Sequence, residues 1–192
     1  MTSSDPAADT HARLVSMLAT RSARRGNFTL SSGRASTLYI DARLTTMSPD
    51  GLALVGPASL AAIEREGWRP DAVGGLTLGA DPVSYAIAYA SQLAGRPLRA
   101  FTVRKEAKAH GTGRLIEGPF RSGDRVVIVE DVITTGGSAL RAIDAVGAAG
   151  GEIVGVLAVV DREEGGREAI VATGVPVSAL VRAADIVAQL DG

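Results

Sequence analysis

The sequence predicts an α/β fold, a parallel sheet flanked by helices on both faces. Two runs, Arg125–Glu130 (RVVIVE) and Ile153–Val160 (IVGVLAVV), are apolar almost throughout and rich in β-branched residues, as strands buried on both faces are. Stretches of helical periodicity lie between the apolar runs, and strands alternating with helices point to parallel crossover units. Ligands of such sheets bind beyond the carboxyl ends of the strands. The loops after Val73, Val103, Val129 and Val160 are therefore the ones expected to carry chemistry.

In chain order, residues 6–22 read as a helix with Leu14, Met17 and Leu18 on one side and Gly26 beyond its end. Residues 28–30 and 38–41 read as short strands separated by the turn Ser31-Ser32-Gly33. Residues 49–66 form a second helix, with Pro49 in its first turn and Gly67 after its end. Ala72-Val73 is a short strand closing on Gly74-Gly75, followed by a helix over 82–93 and a strand over 98–103. Residues 104–123 hold four glycines and a proline and read as a loop, of a length usually reserved for function or motion. Strand 125–130, helix 138–149, strand 153–160, a strand near 175–178 and a helix near 183–190 complete the prediction.

Composition narrows the function. The 192 residues are 46% hydrophobic, enough for one domain with a sizeable core. No apolar run approaches the roughly 18 residues of a membrane span. Met1–Thr10 lacks a basic stretch followed by an apolar core, so no signal peptide and no membrane association are expected, and the cytoplasm is the predicted location. The absence of cysteine excludes disulfides, thiolate metal sites and cysteine nucleophiles. A net charge of −1 gives no reason to expect a nucleic-acid partner. The basic residues are arginines except for Lys105 and Lys108, which fall together beside His110.

The most informative segment is Glu130-Asp131-Val132-Ile133-Thr134-Thr135-Gly136-Gly137-Ser138, after the first buried strand. Glycines let backbone N–H groups approach an anion, the hydroxyls of Thr134, Thr135 and Ser138 add donors, and the helix that follows adds partial positive charge. The paired carboxylates cannot bind phosphate, but they can accept from sugar hydroxyls or sit near magnesium. Together these features describe a site for a sugar phosphate. No Lys-Ser or Lys-Thr follows the glycines, and Gly-x-Gly-x-x-Gly is missing, so neither a P-loop nor a dinucleotide fingerprint is present.

This run, Val126 to Ser138, closely resembles the 5-phosphoribosyl pyrophosphate (PRPP) signature of type I phosphoribosyltransferases. The resemblance implies that Glu130 and Asp131 meet the ribose hydroxyls while Val132, Ile133 and Thr134 to Ser138 bind the rest of PRPP, its 5′-phosphate included. A second segment, Arg104-Lys105-Glu106-Ala107-Lys108-Ala109-His110-Gly111, holds cations suited to a departing pyrophosphate. It is similar to the mobile catalytic loop of orotate phosphoribosyltransferases, matched at Arg104, Lys105, Lys108 and His110. Its glycines would let it open and close. In that family the loop crosses a dimer interface, which implies a homodimer.

Further segments agree with the same family. Phe28–Arg34 running on to Tyr39-Ile40-Asp41 resembles its N-terminal hood, with Tyr39 or Ile40 near the pyrimidine ring. Arg162, after the strand ending at Val160, matches the arginine that grips the orotate carboxylate, and Thr134 is the second orotate contact. From the residues alone, Arg162 could equally form a surface salt bridge with Asp161 or Glu164. Gly74–Asp81 resembles the pyrophosphate loop, with Leu78 where a lysine is often found, and Ser31 replaces another lysine in the hood.

The resemblance implies a single phosphoribosyltransferase domain over 1–192: a hood of about 1–45 with the C-terminal segment, and a core of about 50–180. It further implies transfer of the 5-phosphoribosyl group from PRPP to orotate in pyrimidine synthesis. Lys108, His110 and Asp131 are the catalytic candidates, and Mg²⁺ is carried by PRPP with no protein ligand assigned. A phosphoribosyltransferase for another base and a PRPP-sensing regulator without catalysis are the alternatives.

Overall fold

The computed structural model describes residues 6–29, 35–106 and 115–191. Helix α1 (Pro6–Met17) continues into one π-helical turn, Leu18–Ser22, so the predicted first helix keeps its extent but changes its hydrogen bonding. Strands β1 (Ala23–Thr29) and β2 (Ala35–Ile40) pair antiparallel, with a register shift between Arg25 and Phe28. β1 starts five residues before the predicted strand. Arg24-Arg25-Gly26-Asn27 shows no apolar alternation, and pairing with β2, not local pattern, extends it.

Helix α2 (Arg43–Thr46) is a single turn the sequence reading did not contain. Helix α3 (Pro49–Arg65) follows the prediction, and Ser48 caps it: its Oγ accepts from Gly51 N at 3.2 Å. Next come β3 (Ala72–Leu76), α4 (Ala80–Leu93), β4 (Arg99–Val103), β5 (Ile116–Glu117), β6 (Arg125–Ile133), α5 (Gly137–Ala148), β7 (Glu152–Asp161), α6 (Gly166–Val171), β8 (Val177–Arg182) and α7 (Ala183–Asp191). β5 and α6 were also not predicted, being too short to show a period.

The six-stranded sheet has the order β5-β4-β3-β6-β7-β8. All neighbours are parallel except β5, which pairs antiparallel with β4 at the edge. The parallel sheet flanked by helices is therefore as predicted, with one antiparallel edge added. Both faces are buried, which explains the unbroken apolar runs. On one face Val127 and Val129 of β6 join Leu157 and Val159 of β7, packed by Leu14, Leu18, Ile63 and Ile186. On the other, Val126 and Ile128 join Val156 and Ala158 under Ala139, Ala142, Val146 and Ile170. The period of two along each strand divides its side chains between the two layers. Among the described residues, no helix is long and apolar enough to cross a membrane.

Candidate active site

β6 does not stop at Glu130. It stays paired with β7 through Val132↔Val160 and Ile133↔Asp161, so the acidic pair lies inside the strand. Glu130 is only 5% exposed, and its Oε1 has no hydrogen-bond partner among the described residues. Burial, then the neighbouring Asp131, pushes the Glu130 carboxyl up to about 8. Burial also raises Asp131, an effect opposed by the Val132 N–H, which donates to its Oδ1 at 2.9 Å. Gly79 runs so close that a Cβ there would lie 2.4 Å from the Asp131 carboxylate.

Beyond the buried Ile133, the chain turns through Thr134, Thr135 and Gly136 into α5. Gly136 has φ +80°, and a Cβ there would meet the Gly166 carbonyl at 2.8 Å, so only glycine fits. No side chain caps α5, leaving its first N–H groups available to an anion. They border a cavity of about 140 Å³ lined by Glu130 and residues 132–139. This cradle brings together the predicted Glu130, Val132, Ile133, Thr134, Thr135, Gly136, Gly137 and Ser138.

A larger cavity of about 480 Å³ adjoins it, walled by residues 39–43, residues 76–79, Lys105, Glu130, Asp131, Arg141 and Arg162 among others. Arg162 is 7% exposed. It donates to Leu38 O at 2.9 Å and Ser36 Oγ at 3.1 Å, and pairs with Glu164 at 2.6 Å. The salt bridge weighed from the sequence therefore exists, to Glu164 rather than Asp161, but it is buried and borders the cavity. Its Nε has no partner among the described residues. Tyr39, 40% exposed, and Ile40 stand on the wall, and the Tyr39 ring packs on Phe28 at 5.4 Å between centroids.

The cationic segment is divided. Lys105 reaches the cavity, whereas Arg104 does not border it; the Arg104 guanidinium lies 3.6 Å from Glu117, and its Nε donates to Glu106 O at 3.3 Å. Lys108 and His110 lie outside the described residues, as do Gly111, Gly113 and the hood turn with Ser31. In the 76–79 segment the Thr77–Leu78 peptide is cis, and Leu78 is 53% exposed.

Two cavity groups, Arg43 and Arg141, escaped the sequence reading, and Asp41 entered it only as the end of the hood segment. Asp41 and Arg43 form a two-pronged pair at 2.8 and 2.9 Å, and Arg43 holds the Asp41 carboxyl below its ordinary range. Asp41 precedes the one-turn α2 and Arg43 begins it, an element too short for a periodic signal. Arg141 was legible in principle, because a residue three past Ser138 shares its helix face.

The profile of the phosphoribosyl transferase domain matches residues 53–175. The chain is 46% identical over 175 residues to the orotate phosphoribosyltransferase of Aquifex aeolicus, covering 91% of this chain and 94% of that protein. It is 48% identical over 175 residues to that of Mycobacterium tuberculosis, covering 91% and 95%. The crystal structure of the M. tuberculosis H37Rv enzyme in complex with PRPP superposes with a TM-score of 0.77 at 44% identity, covering 92% of this chain and 98% of that one. The chain belongs to the phosphoribosyltransferase family and, within it, to the orotate phosphoribosyltransferases.

Proposed function

We propose that this protein transfers the 5-phosphoribosyl group of PRPP to orotate, giving orotidine 5′-monophosphate and pyrophosphate in the de novo synthesis of UMP. The observation that carries the reading is the meeting, in one pair of cavities, of an acidic pair whose Glu130 is buried, an uncapped helix N-terminus and a buried arginine. Ribose hydroxyls bind Glu130 and Asp131. Below about pH 8 the Glu130 carboxyl is mostly protonated, so it donates to a sugar oxygen as well as accepting. The 5′-phosphate takes the N–H groups and hydroxyls of 134–138. The orotate carboxylate takes Arg162, with Thr134 beside the ring.

The bond from ribose C1 to the pyrophosphate oxygen then breaks, its electron pair leaving with pyrophosphate. The orotate ring nitrogen supplies the new bond from the opposite face of an oxocarbenium-like ribose, and its proton is taken up by the departing pyrophosphate. Arg104, Lys105, Lys108 and His110 neutralise the leaving group, and the closed segment keeps out water that would hydrolyse the activated sugar. Asp131 supports the developing positive charge on the ribose.

Among the described residues, no three carboxylate or imidazole groups converge on one point. No protein ligand is therefore assigned to Mg²⁺, and we read it as carried by PRPP. Brought in with PRPP, the ion would supply charge neutralisation for the pyrophosphate, beside the cations of Arg104, Lys105, Lys108 and His110. We read the chain as one domain, with the hood (about 1–45 and the C-terminal segment) over a core of about 50–180. It acts in the cytoplasm as a homodimer whose cationic segment is shared between subunits.

The test is loss of orotate absorbance with PRPP and Mg²⁺, against adenine and hypoxanthine, repeated with the metal chelated. Turnover of orotate alone, lost on chelation, is expected. Turnover of a purine in its place, or PRPP binding without turnover of any base, overturns the reading. Lys108→Ala retaining activity within about threefold of wild type would remove Lys108 from leaving-group stabilisation.

A further inference from the structure

Asp81, in the first turn of α4, has no part in the chemistry above, yet it collects hydrogen bonds from two separate parts of the site. Its Oδ2 accepts from Thr77 Oγ1 at 2.7 Å, and its Oδ1 accepts from Thr102 Oγ1 at 2.8 Å. Tyr85, one turn further along α4, has its hydroxyl 3.0 Å from Thr102 Oγ1. Thr77 stands on the cavity wall beside Gly79, whose backbone abuts Asp131. Thr102 lies on β4, two residues before Arg104. The Thr77 N–H also donates to Val103 O at 2.8 Å. One carboxylate therefore clasps the 77–79 turn to the strand from which the cationic segment departs.

Proton counting fixes the direction of this chain. A hydroxyl has one proton, and both threonines give theirs to the carboxylate, so Tyr85 must be the donor to Thr102. Thr77 Oγ1 consequently has no proton to offer a phosphate oxygen, and donors on this side are left to backbone N–H groups. Those groups are useful only while the turn keeps its shape.

We propose that Asp81 is a positioning residue for the pyrophosphate end of the site: it sets the 77–79 turn and the root of the cationic segment together, and leaves the 5′-phosphate cradle untouched. The proposal rests on the phosphoribosyl-transfer reading. The experiment uses the full chain and two separate ligands, pyrophosphate and ribose 5-phosphate, with dissociation constants measured by calorimetry in the presence of Mg²⁺. Asp81→Ala is expected to weaken pyrophosphate by about tenfold or more, the scale of a lost charge-assisted hydrogen bond. Ribose 5-phosphate should stay within about twofold, and Asp81→Asn, which retains one acceptor, should fall between. In steady state the KM for PRPP rises while the KM for orotate does not.

Thr102→Val, nearly isosteric, removes the Asp81 and Tyr85 bonds to Thr102 while leaving Thr77–Asp81 in place, and should weaken pyrophosphate by a smaller factor; it carries the test if Asp81→Ala does not fold. Equal weakening of both ligands, or unchanged pyrophosphate binding in Asp81→Asn and Thr102→Val, overturns the proposal. A wild-type chain that binds neither ligand overturns instead the reading beneath it.

Discussion

Two loops face each other across the cavity, and they are held by different means. The loop from β6 to α5 is shaped by its backbone: Ile133 is anchored in the core, Gly136 adopts φ +80°, and the Gly166 carbonyl closes the space above it. The loop from β3 to α4 is shaped by side chains, through Thr77, Asp81 and Thr102, while Leu78 stands 53% exposed. A backbone-shaped anion site restricts residue choice at its glycines. A side-chain-shaped one restricts it only at the clasp, which leaves a position such as Leu78 free to hold something other than a cation.

The largest effect should follow from Gly136→Val. A β-branched residue at positive φ costs on the order of 1–3 kcal/mol, and the collision with Gly166 adds to it. The cradle must rearrange, and kcat/KM for PRPP should fall by about a hundredfold or more. A loss below tenfold would mean that the backbone does not set this loop. Gly79→Ala comes next. Its new methyl meets the end of a short side chain, Asp131, so the carboxylate yields and the fold survives. We expect about a tenfold loss in kcat/KM, with the unfolding midpoint lowered by no more than about 3 °C.

Arg141→Leu removes an exposed cation on the cavity wall. KM for PRPP should rise about three- to tenfold with kcat unchanged, and less at high salt, because exposed charges are screened. The smallest effect on activity at neutral pH is expected from Glu130→Gln, which imitates a carboxyl already mostly protonated there; its signature lies in stability. With the folded value pushed to about 8 from an ordinary 4.5, the unfolded chain sheds this proton first. Wild-type stability contributed by Glu130 is thus complete below pH 4.5 and is lost as pH rises toward 8. Glu130→Gln should flatten that decline in thermal midpoints. Asp131, also raised by burial, leaves a weaker slope of the same sign at lower pH.

The backbone-shaped half of the site was legible in the sequence because glycine, threonine and paired acids at fixed spacing state their geometry locally. The sheet was legible for the same reason: Val126–Val129 and Val156–Val160 are buried on both faces, and their composition records it. Residues whose role depends on distant partners were not legible. Asp81 reads as an ordinary first-turn acid until Thr102 is placed beside it. Arg43 sits on a helix of one turn, and β1 is a strand because β2 lies next to it. Glu130 and Asp131 were expected to end their strand, yet β7 carries the pairing past them, which accounts for the burial of Glu130.

The buried arginine at the end of β7 has a further consequence for choice of base. Glu164 already occupies part of the Arg162 guanidinium, so under the proposed function it would stand as an internal placeholder for an acidic ring substituent. If Arg162 receives the orotate carboxylate as proposed, the incoming ring exchanges one carboxylate for another. A ring without that group, such as uracil, offers nothing to trade and leaves the placeholder seated. Selectivity here would then come from a refusal to let go of Glu164, as much as from attraction to the right guest.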